Sequence, residues 1–172
     1  MLTQLPALAV ILPLLSAPLC LFLRRPLLAW LFTVIASGLT MLVSITLLQQ
    51  VMASGTIVYE MGGWSPPWGI EYRIDKLNAF LLLIITSIST VVLLAAHTSI
   101  EKEIPENRHI LFYVLYLVSL AGLLGVVITG DAFNVFVFLE ISSLAAYSLI
   151  ALGKDRRALW AAYQYLIMGT IG

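Results

Sequence analysis

Five long apolar stretches constrain the fold of this chain more than any other feature of its sequence. A helix needs about 20 residues to cross the roughly 30 Å hydrocarbon core of a bilayer. The stretches are Ala7–Leu23, Leu27–Val51, Leu77–Ala96, Ile110–Thr129 and Ala132–Leu152, and a sixth, shorter run extends from Ala158. We therefore expect an all-α, multi-pass membrane protein with about six transmembrane helices, of which the sixth is incomplete.

The amino-acid composition favours a protein that faces lipid rather than water. Hydrophobic residues make up 61% of the 172 residues and charged residues only 10%, whereas a soluble domain is typically about 25% charged. The formal net charge is zero, so nothing favours nucleic acid as a partner. No Lys or Arg precedes Arg24, which differs from a secretory signal and predicts a retained first helix. The single cysteine, Cys20, is predicted to be a small buried hydrophobic residue.

The basic residues are distributed unevenly between the two ends of the predicted helices. Seven of them lie in three loops that share one side of the membrane: Arg24, Arg25, Lys102, Arg108, Lys154, Arg156 and Arg157. The opposite side has only Arg73 and Lys76. Because short cytoplasmic loops carry an excess of Lys and Arg, we expect a cell (plasma or inner) membrane protein with its N-terminus outside and these three loops in the cytoplasm.

The segment between the second and third helices has the pattern of an external β-hairpin. Two short runs, Thr56–Met61 and Ile70–Asp75, flank a loop rich in Gly, Pro and Trp. In the second run apolar and charged residues alternate, which is the period of a half-buried strand. We expect Trp64, Trp68 and Tyr72 at interfacial depth. The hairpin is either a structural cap or part of a binding site, and the sequence leaves both interpretations open.

Glu140 is the one acidic residue that lies deep in a predicted span. On insertion scales a charged side chain at the bilayer centre costs about 2.5–3.5 kcal/mol, so such a residue usually marks a pathway for ions or protons. Ser143 and Tyr147 follow at three and seven residues and share its helical face. The sequence thus predicts a proton path through Glu140, Ser143 and Tyr147. The structural alternative is a protonated glutamate that hydrogen-bonds a neighbouring helix.

Two histidines lie at predicted helix ends, His97 after the third helix and His109 before the fourth. Each is either an interfacial anchor or, for His97 in particular, an entry point for protons. The sequence contains no phosphate loop, no dinucleotide fingerprint and no Cys/His set with metal spacing. We therefore predict no catalytic residue, no metal and no cofactor in this chain.

Small residues mark two helix faces that are suited to close packing. One face of the fifth helix carries Ser142, Ala145 and Ala146, and the fourth helix carries Gly122 and Gly125. Helices in membranes approach each other most closely where such small residues meet. We expect these positions to be packing contacts rather than a site.

A longer run around Glu140 resembles a known family. The run Gly130–Tyr147, with the sequence GDAFNVFVFLEISSLAAY, resembles the fifth helix of the antiporter-like, proton-translocating membrane subunits. These subunits are shared by respiratory complex I, multi-subunit Mrp sodium/proton antiporters and membrane-bound hydrogenases. Further matches are the hairpin run Gly62–Ile70, the triplet Asp75–Leu77, and Ala161–Leu166 at the start of the sixth helix. The motif Gly-Asp-Ala-Phe-Asn resembles the Mrp and hydrogenase branch of the family more closely than it resembles complex I.

The resemblance implies a fold and a role for Glu140, which falls on the family's essential glutamate. The family has three peripheral helices followed by two inverted five-helix repeats, and this chain resembles its N-terminal third. Residues 1–109 would form the three peripheral helices, with the external hairpin at 52–75. Residues 110–172 would begin the first repeat with helices four, five and part of six. The family's lysine partner for the glutamate, on helix seven, is not in this sequence.

We therefore expect a proton- or cation-translocating antiporter-like subunit, or its N-terminal portion, in a multi-subunit membrane complex. Its partners would be other membrane subunits, the lipid bilayer, protons and, as an open alternative, sodium. An ion-pumping oxidoreductase is a compatible setting, whose redox centres would lie in other subunits. The alternative function is a non-transporting structural subunit that docks its neighbours.

Overall fold

A computed structural model describes residues 4–64 and 69–171 of the chain. Over these residues the chain forms six α-helices and one two-stranded antiparallel sheet. The elements in chain order are α1 (Leu5–Cys20), α2 (Pro26–Ser54), β1 (Ile57–Glu60), β2 (Glu71–Ile74), α3 (Lys76–Glu103), α4 (His109–Ile128), α5 (Ala132–Ala151) and α6 (Arg156–Ile171). The predicted helical architecture with a hairpin between the second and third helices is confirmed.

Among the described residues, four helices, α2 to α5, are long and apolar enough to cross a membrane. Helices α1 and α6 have 16 residues each. At 1.5 Å per residue such a helix is about 24 Å long, which is shorter than the roughly 30 Å hydrocarbon core. Four of the six predicted spans thus meet the length requirement over the residues described.

The helices begin where local chemistry favours a start. Proline occupies the first turn of both α1 and α2, where its missing N–H costs no hydrogen bond. Asp75 caps α3 by accepting a hydrogen bond from the Asn78 amide at 2.9 Å. Asp131 caps α5 by accepting one from the Phe133 amide at 3.2 Å. These side chains satisfy amides that a helix leaves unpaired in its first turn.

The hairpin defines one end of the bundle, which we call the hairpin end. The Tyr59 hydroxyl donates to Gln4 Oε1 at 2.7 Å, and the Gly130 amide donates to the Glu71 carbonyl at 2.9 Å. At the opposite, loop end, the Lys154 amide donates to the Glu103 carbonyl at 3.1 Å. Successive helices therefore alternate in direction. The seven basic residues predicted to share one side all belong to segments at the loop end.

The hairpin pairs Ile57 with Ile74 and Tyr59 with Tyr72. Trp64 is exposed, as an interfacial residue would be, and Trp68 lies outside the described residues. Tyr72 is 3% exposed and packs in the bundle core at the hairpin end. The alternation of β2 turns Tyr72 inward, and Thr129 bridges it from the other side. Burial raises the pKa of the Tyr72 phenol above its usual value, and the neighbouring Tyr59 adds to this increase.

Helix α4 lies at the centre of the bundle and packs against α1, α2, α3 and α5. One apolar cluster fills the hairpin end, where Tyr72 and Ile74 join residues of α1 to α4. A second cluster fills the loop end and includes Cys20, which is fully buried as predicted. The Cys20 sulfur lies 3.9 Å from the Thr33 hydroxyl oxygen.

Hydroxyl groups join α2, α3 and α4 in the apolar part of the bundle. Ser37 Oγ lies 2.9 Å from Thr90 Oγ1, and Ser89 Oγ lies 3.0 Å from the Tyr116 hydroxyl oxygen. The Tyr116 hydroxyl also donates to the Ser89 carbonyl at 2.9 Å. Hydrogen bonds of this kind hold helices together where lipid removes the hydrophobic driving force. These contacts fix α2, α3 and α4 relative to one another.

Candidate functional site

Glu140 lies near the middle of α5, nine residues after the cap residue Asp131. At 1.5 Å per residue this is about 13 Å from the hairpin end of the helix. It is the only acidic or basic residue between Ala132 and Ala151. In the structure its side chain is half-buried. Glu140 therefore occupies the middle of α5, with apolar turns on both sides of it.

The contacts of α5 with α4 determine where Glu140 points. A β-carbon added at Gly122 would lie 2.7 Å from the Ser142 amide nitrogen and 2.9 Å from the Phe138 carbonyl oxygen. Phe138 and Ser142 therefore press against α4, and they are two residues before and after Glu140. Because successive residues are about 100° apart around a helix, Glu140 faces away from α4. Gly122 and Ser142 are thus packing contacts, as predicted, and the structure shows that they meet each other.

Ser143 and Tyr147 share the face of Glu140 and are both half-buried. The Tyr147 ring packs against Tyr165 of α6, with ring centroids 5.4 Å apart at 62°. Its hydroxyl contacts Gly169 so closely that a β-carbon there would overlap with it. Tyr147 thus lies in the α5–α6 contact, beside a groove of about 240 Å³ between these helices. A residue larger than glycine at position 169 would require the Tyr147 side chain to move.

Glu140 lies about 10 Å closer to the hairpin end than Tyr147 along α5. No residue of the described ranges forms a hydrogen bond or an ion pair with its carboxyl group.

His97 belongs to a separate contact between α2 and α3. Its ring packs edge-on against Trp30 with centroids 4.6 Å apart, and its Nδ1 lies 3.8 Å from Glu101 Oε1. The Trp30 indole N–H donates to the Leu93 carbonyl at 3.0 Å. Counted at 1.5 Å per residue from the loop-end termini of α3 and α5, His97 and Glu140 differ in depth by about 8 Å. The structure does not bring His97 together with Glu140.

His109 has a local structural role at the start of α4. Its ring is buried, and its Nε2 donates to the Ile104 carbonyl at 2.9 Å. A carbonyl oxygen can only accept, so this bond places a proton on Nε2. The contact closes the short connection between α3 and α4.

The titratable residues described do not form a metal centre. No group of three His, Cys, Asp or Glu side chains comes together within the described ranges. A cavity of about 290 Å³ lies between α3, α4 and α5, with Ser89, Tyr116 and Leu149 in its lining. It lies on the side of α5 that contains Leu149, apart from the Glu140 face.

The sequence did not reveal the contact between the hairpin and the α4–α5 connection. Strand β2 binds this connection through its backbone, at the Glu71 carbonyl and by a bridge between Tyr72 and Thr129. Backbone pairing leaves little trace in side-chain identity. The only local signal was the polar break Thr129-Gly130-Asp131 between two apolar helices.

No family model matches the chain. An NADH-quinone oxidoreductase subunit of Desulforudis audaxviator, the N subunit, is 42% identical to it over 99% of this chain and 34% of the relative. A Na(+)/H(+) antiporter subunit of Bacillus subtilis is 33% identical over 95% of this chain and 33% of the relative. The chain thus spans about one third of the length of the curated relatives that it matches.

Solved structures share the fold. A chain of the membrane-bound sulfane sulfur reductase, an archaeal respiratory membrane complex, matches with a TM-score of 0.87 and 34% identity. That match covers 98% of this chain and 34% of the other. A chain of the Mrp complex from Dietzia matches in fold with a TM-score of 0.84 and 23% identity, over 99% of this chain and 32% of the other.

Proposed function

This chain is homologous to the antiporter-like membrane subunits of Mrp and complex I type complexes, and we propose that it forms the N-terminal part of a subunit that translocates protons or cations. The observation that carries the proposal is the placement of Glu140. It lies in mid-helix, on a face turned away from α4, and Ser143 and Tyr147 continue that face. A carboxyl group at this depth is costly unless it serves a polar path.

Glu140 would bind and release a proton at the centre of the path. A cationic side chain that approaches a carboxyl group favours its charged form, and withdrawal of that cation favours its protonated form. The movement of a cation near Glu140 would therefore gate the proton. Ser143 and Tyr147 provide hydroxyl groups on the same face, which can accept and donate hydrogen bonds along the route. His97 would serve at most as an entry residue, because it lies in the contact between α2 and α3 and nearer the loop end than Glu140.

The same proposal includes a membrane topology and a division of the chain into two parts. Residues 1–109 would form three peripheral helices with the hairpin at 52–75, and residues 110–172 would begin an inverted-repeat unit. The subunit would lie in the cell membrane with the hairpin end outside and the basic loop end in the cytoplasm. The concentration of basic residues at the loop end supports this orientation. Partners would be the other membrane subunits of a hetero-oligomeric complex, and the ions would be protons or sodium.

A structural docking role is the second candidate, and the surface of α6 supports it. This helix buries only Ala162 among its residues, and its exposed side chains are mostly large and apolar. Such a face fits a neighbouring helix as well as lipid. In this alternative Glu140 would stabilise an interface and carry no proton.

Replacement of Glu140 in the full-length subunit, within its complex, separates the two functions. Glu140→Gln keeps the shape of the side chain and removes its exchangeable charge, so we expect ion flux to be lost while the complex still assembles. Glu140→Ala should behave in the same way. Glu140→Asp shortens the reach by about 1.5 Å and should leave partial flux if geometry limits the transfer. Flux in sealed vesicles and the yield of complex are measured on the same preparations.

The matched control is Glu106→Gln, which makes the same chemical change at an exposed residue of the loop end. This variant should retain wild-type flux. Wild-type flux in Glu140→Gln would show that the glutamate has no part in translocation. Failure of Glu140→Gln to assemble would favour the docking role.

A further inference from the structure

The hairpin is bound to the corner between α4 and α5, the corner from which the helix of Glu140 begins. The Gly130 amide donates to the Glu71 carbonyl at 2.9 Å, and Thr129 forms an antiparallel bridge with Tyr72. The α4–α5 connection is therefore joined to β2 by one backbone hydrogen bond and one isolated β-bridge. A β-bridge fixes both the distance between its partners and their register.

The hairpin is itself anchored in the bundle. Ile74 is fully buried, and with Tyr72 it packs against residues of α1, α2, α3 and α4. Tyr59 stacks on Tyr72 and donates to Gln4 at the start of α1. The sheet is therefore packed against the helix bundle rather than free in solution. Through it, the α4–α5 corner is positioned relative to α1, α2 and α3.

The corner has little freedom of its own. Only three residues, Thr129 to Asp131, separate α4 from α5. The Thr129 amide donates to the Gly125 carbonyl at 3.1 Å, which closes the last turn of α4. Asp131 accepts hydrogen bonds from the Phe133 amide and from the Asn134 side chain, at 3.2 Å and 2.9 Å. A shift of the corner therefore carries the first turn of α5 with it.

We infer that Gly130 is a positioning residue: through its bond to the Glu71 carbonyl, the external hairpin sets the depth and rotation of Glu140 in the membrane. The inference rests on the proposed function of Glu140, and it assigns the hairpin a role in that function. The hairpin is thereby the device that aligns the glutamate with its path. A displacement of about 1 Å at a reacting group can cost on the order of 100-fold in rate, so a loosened corner would impair transfer without unfolding the helix.

Gly130→Pro tests this inference because it removes the amide donor. Thr129 has φ −71° and ψ 136°, a conformation that a following proline accepts. The matched control is Gly130→Ala, which keeps the N–H, and its β-carbon would meet its nearest neighbours at an ordinary 3.5 Å. Both variants are made in the full-length subunit within its complex. The distance between spin labels at Val58 on β1 and Leu144 on α5 reports the position of the helix, since both residues are exposed.

We expect Gly130→Pro to shift or broaden the label distance, to change the pH profile of ion flux and to lower the flux roughly 10- to 100-fold. Gly130→Ala should leave all three unchanged. Wild-type flux with an altered distance would overturn the inference, and so would lost flux with an unaltered distance. If Gly130→Pro does not assemble, Thr129→Gly loosens the same corner while keeping its amides, and the same outcomes apply.

The result is distinct from failure of the proposed function. Wild-type flux in Glu140→Gln would remove the role of Glu140, whatever the hairpin does. Lost flux in Glu140→Gln, together with an unaffected Gly130→Pro, would remove only the role of the hairpin.

Discussion

The direction of the Glu140 side chain is decided by residues two positions away. Phe138 and Ser142 press into the gap left by Gly122 and Gly125, and Glu140 is turned to the opposite side. The sequence predicted that Glu140 lies deep in a helix because a lone acid stands out in an apolar run. Its exact surroundings depend on which helix packs beside α5, and a single helix cannot reveal that.

The close contact at Gly122 makes a prediction about stability. Gly122→Ala would place a β-carbon 2.7 Å from the Ser142 amide nitrogen, which is backbone and cannot move alone. The helices must separate, so we expect a loss of about 1–3 kcal/mol and a lower thermal midpoint of the full-length subunit. Gly38→Ala is the control, because nothing lies within 4 Å of its added carbon. The same substitution there should be neutral or stabilising. Equal midpoints for the two variants would contradict the packing described for α4 and α5.

At the scale of elements, hydropathy located the helices well and their polar ends less well. The predicted and observed starts of α5 coincide at Ala132. Helix α3 continues to Glu103, beyond the predicted end at Ala96. Its last turns are polar, and the pairing of His97 with Glu101 spans one turn of them. An apolar run marks the part of a helix that suits lipid, whereas the helix itself continues as far as its backbone bonds do. The strand pattern likewise predicted β2, but not its bridge to Thr129, which is made by backbone atoms.

At the scale of the whole molecule, the alternation of helices separates two chemically different ends. The loop end collects seven basic residues, and the hairpin end has only Arg73 and Lys76. This asymmetry was predictable because loop charge is a property of sequence alone. The central position of α4 was not predictable, since it arises from contacts between residues far apart in the chain.

Labelling from the two sides of sealed vesicles tests this arrangement. In a Cys20→Ser background, cysteines at Val58 on β1 and at Asp155 before α6 are both exposed. We expect a membrane-impermeant thiol reagent to reach the first only from outside and the second only from the cytoplasmic side. Reaction of both from the same side would contradict the alternation of the helices, and reaction from exchanged sides would contradict the orientation.

The most direct measurement of the central claim is the protonation of Glu140 during transport. Infrared difference spectroscopy of the full-length subunit in its complex detects the C=O stretch of a protonated carboxyl group. When an ion gradient is applied, we predict a carboxyl band that changes in the wild type and in the Glu106→Gln control, and that is absent in assembled Glu140→Gln. A spectrum in which the same band persists in Glu140→Gln would contradict the claim that this residue carries the proton.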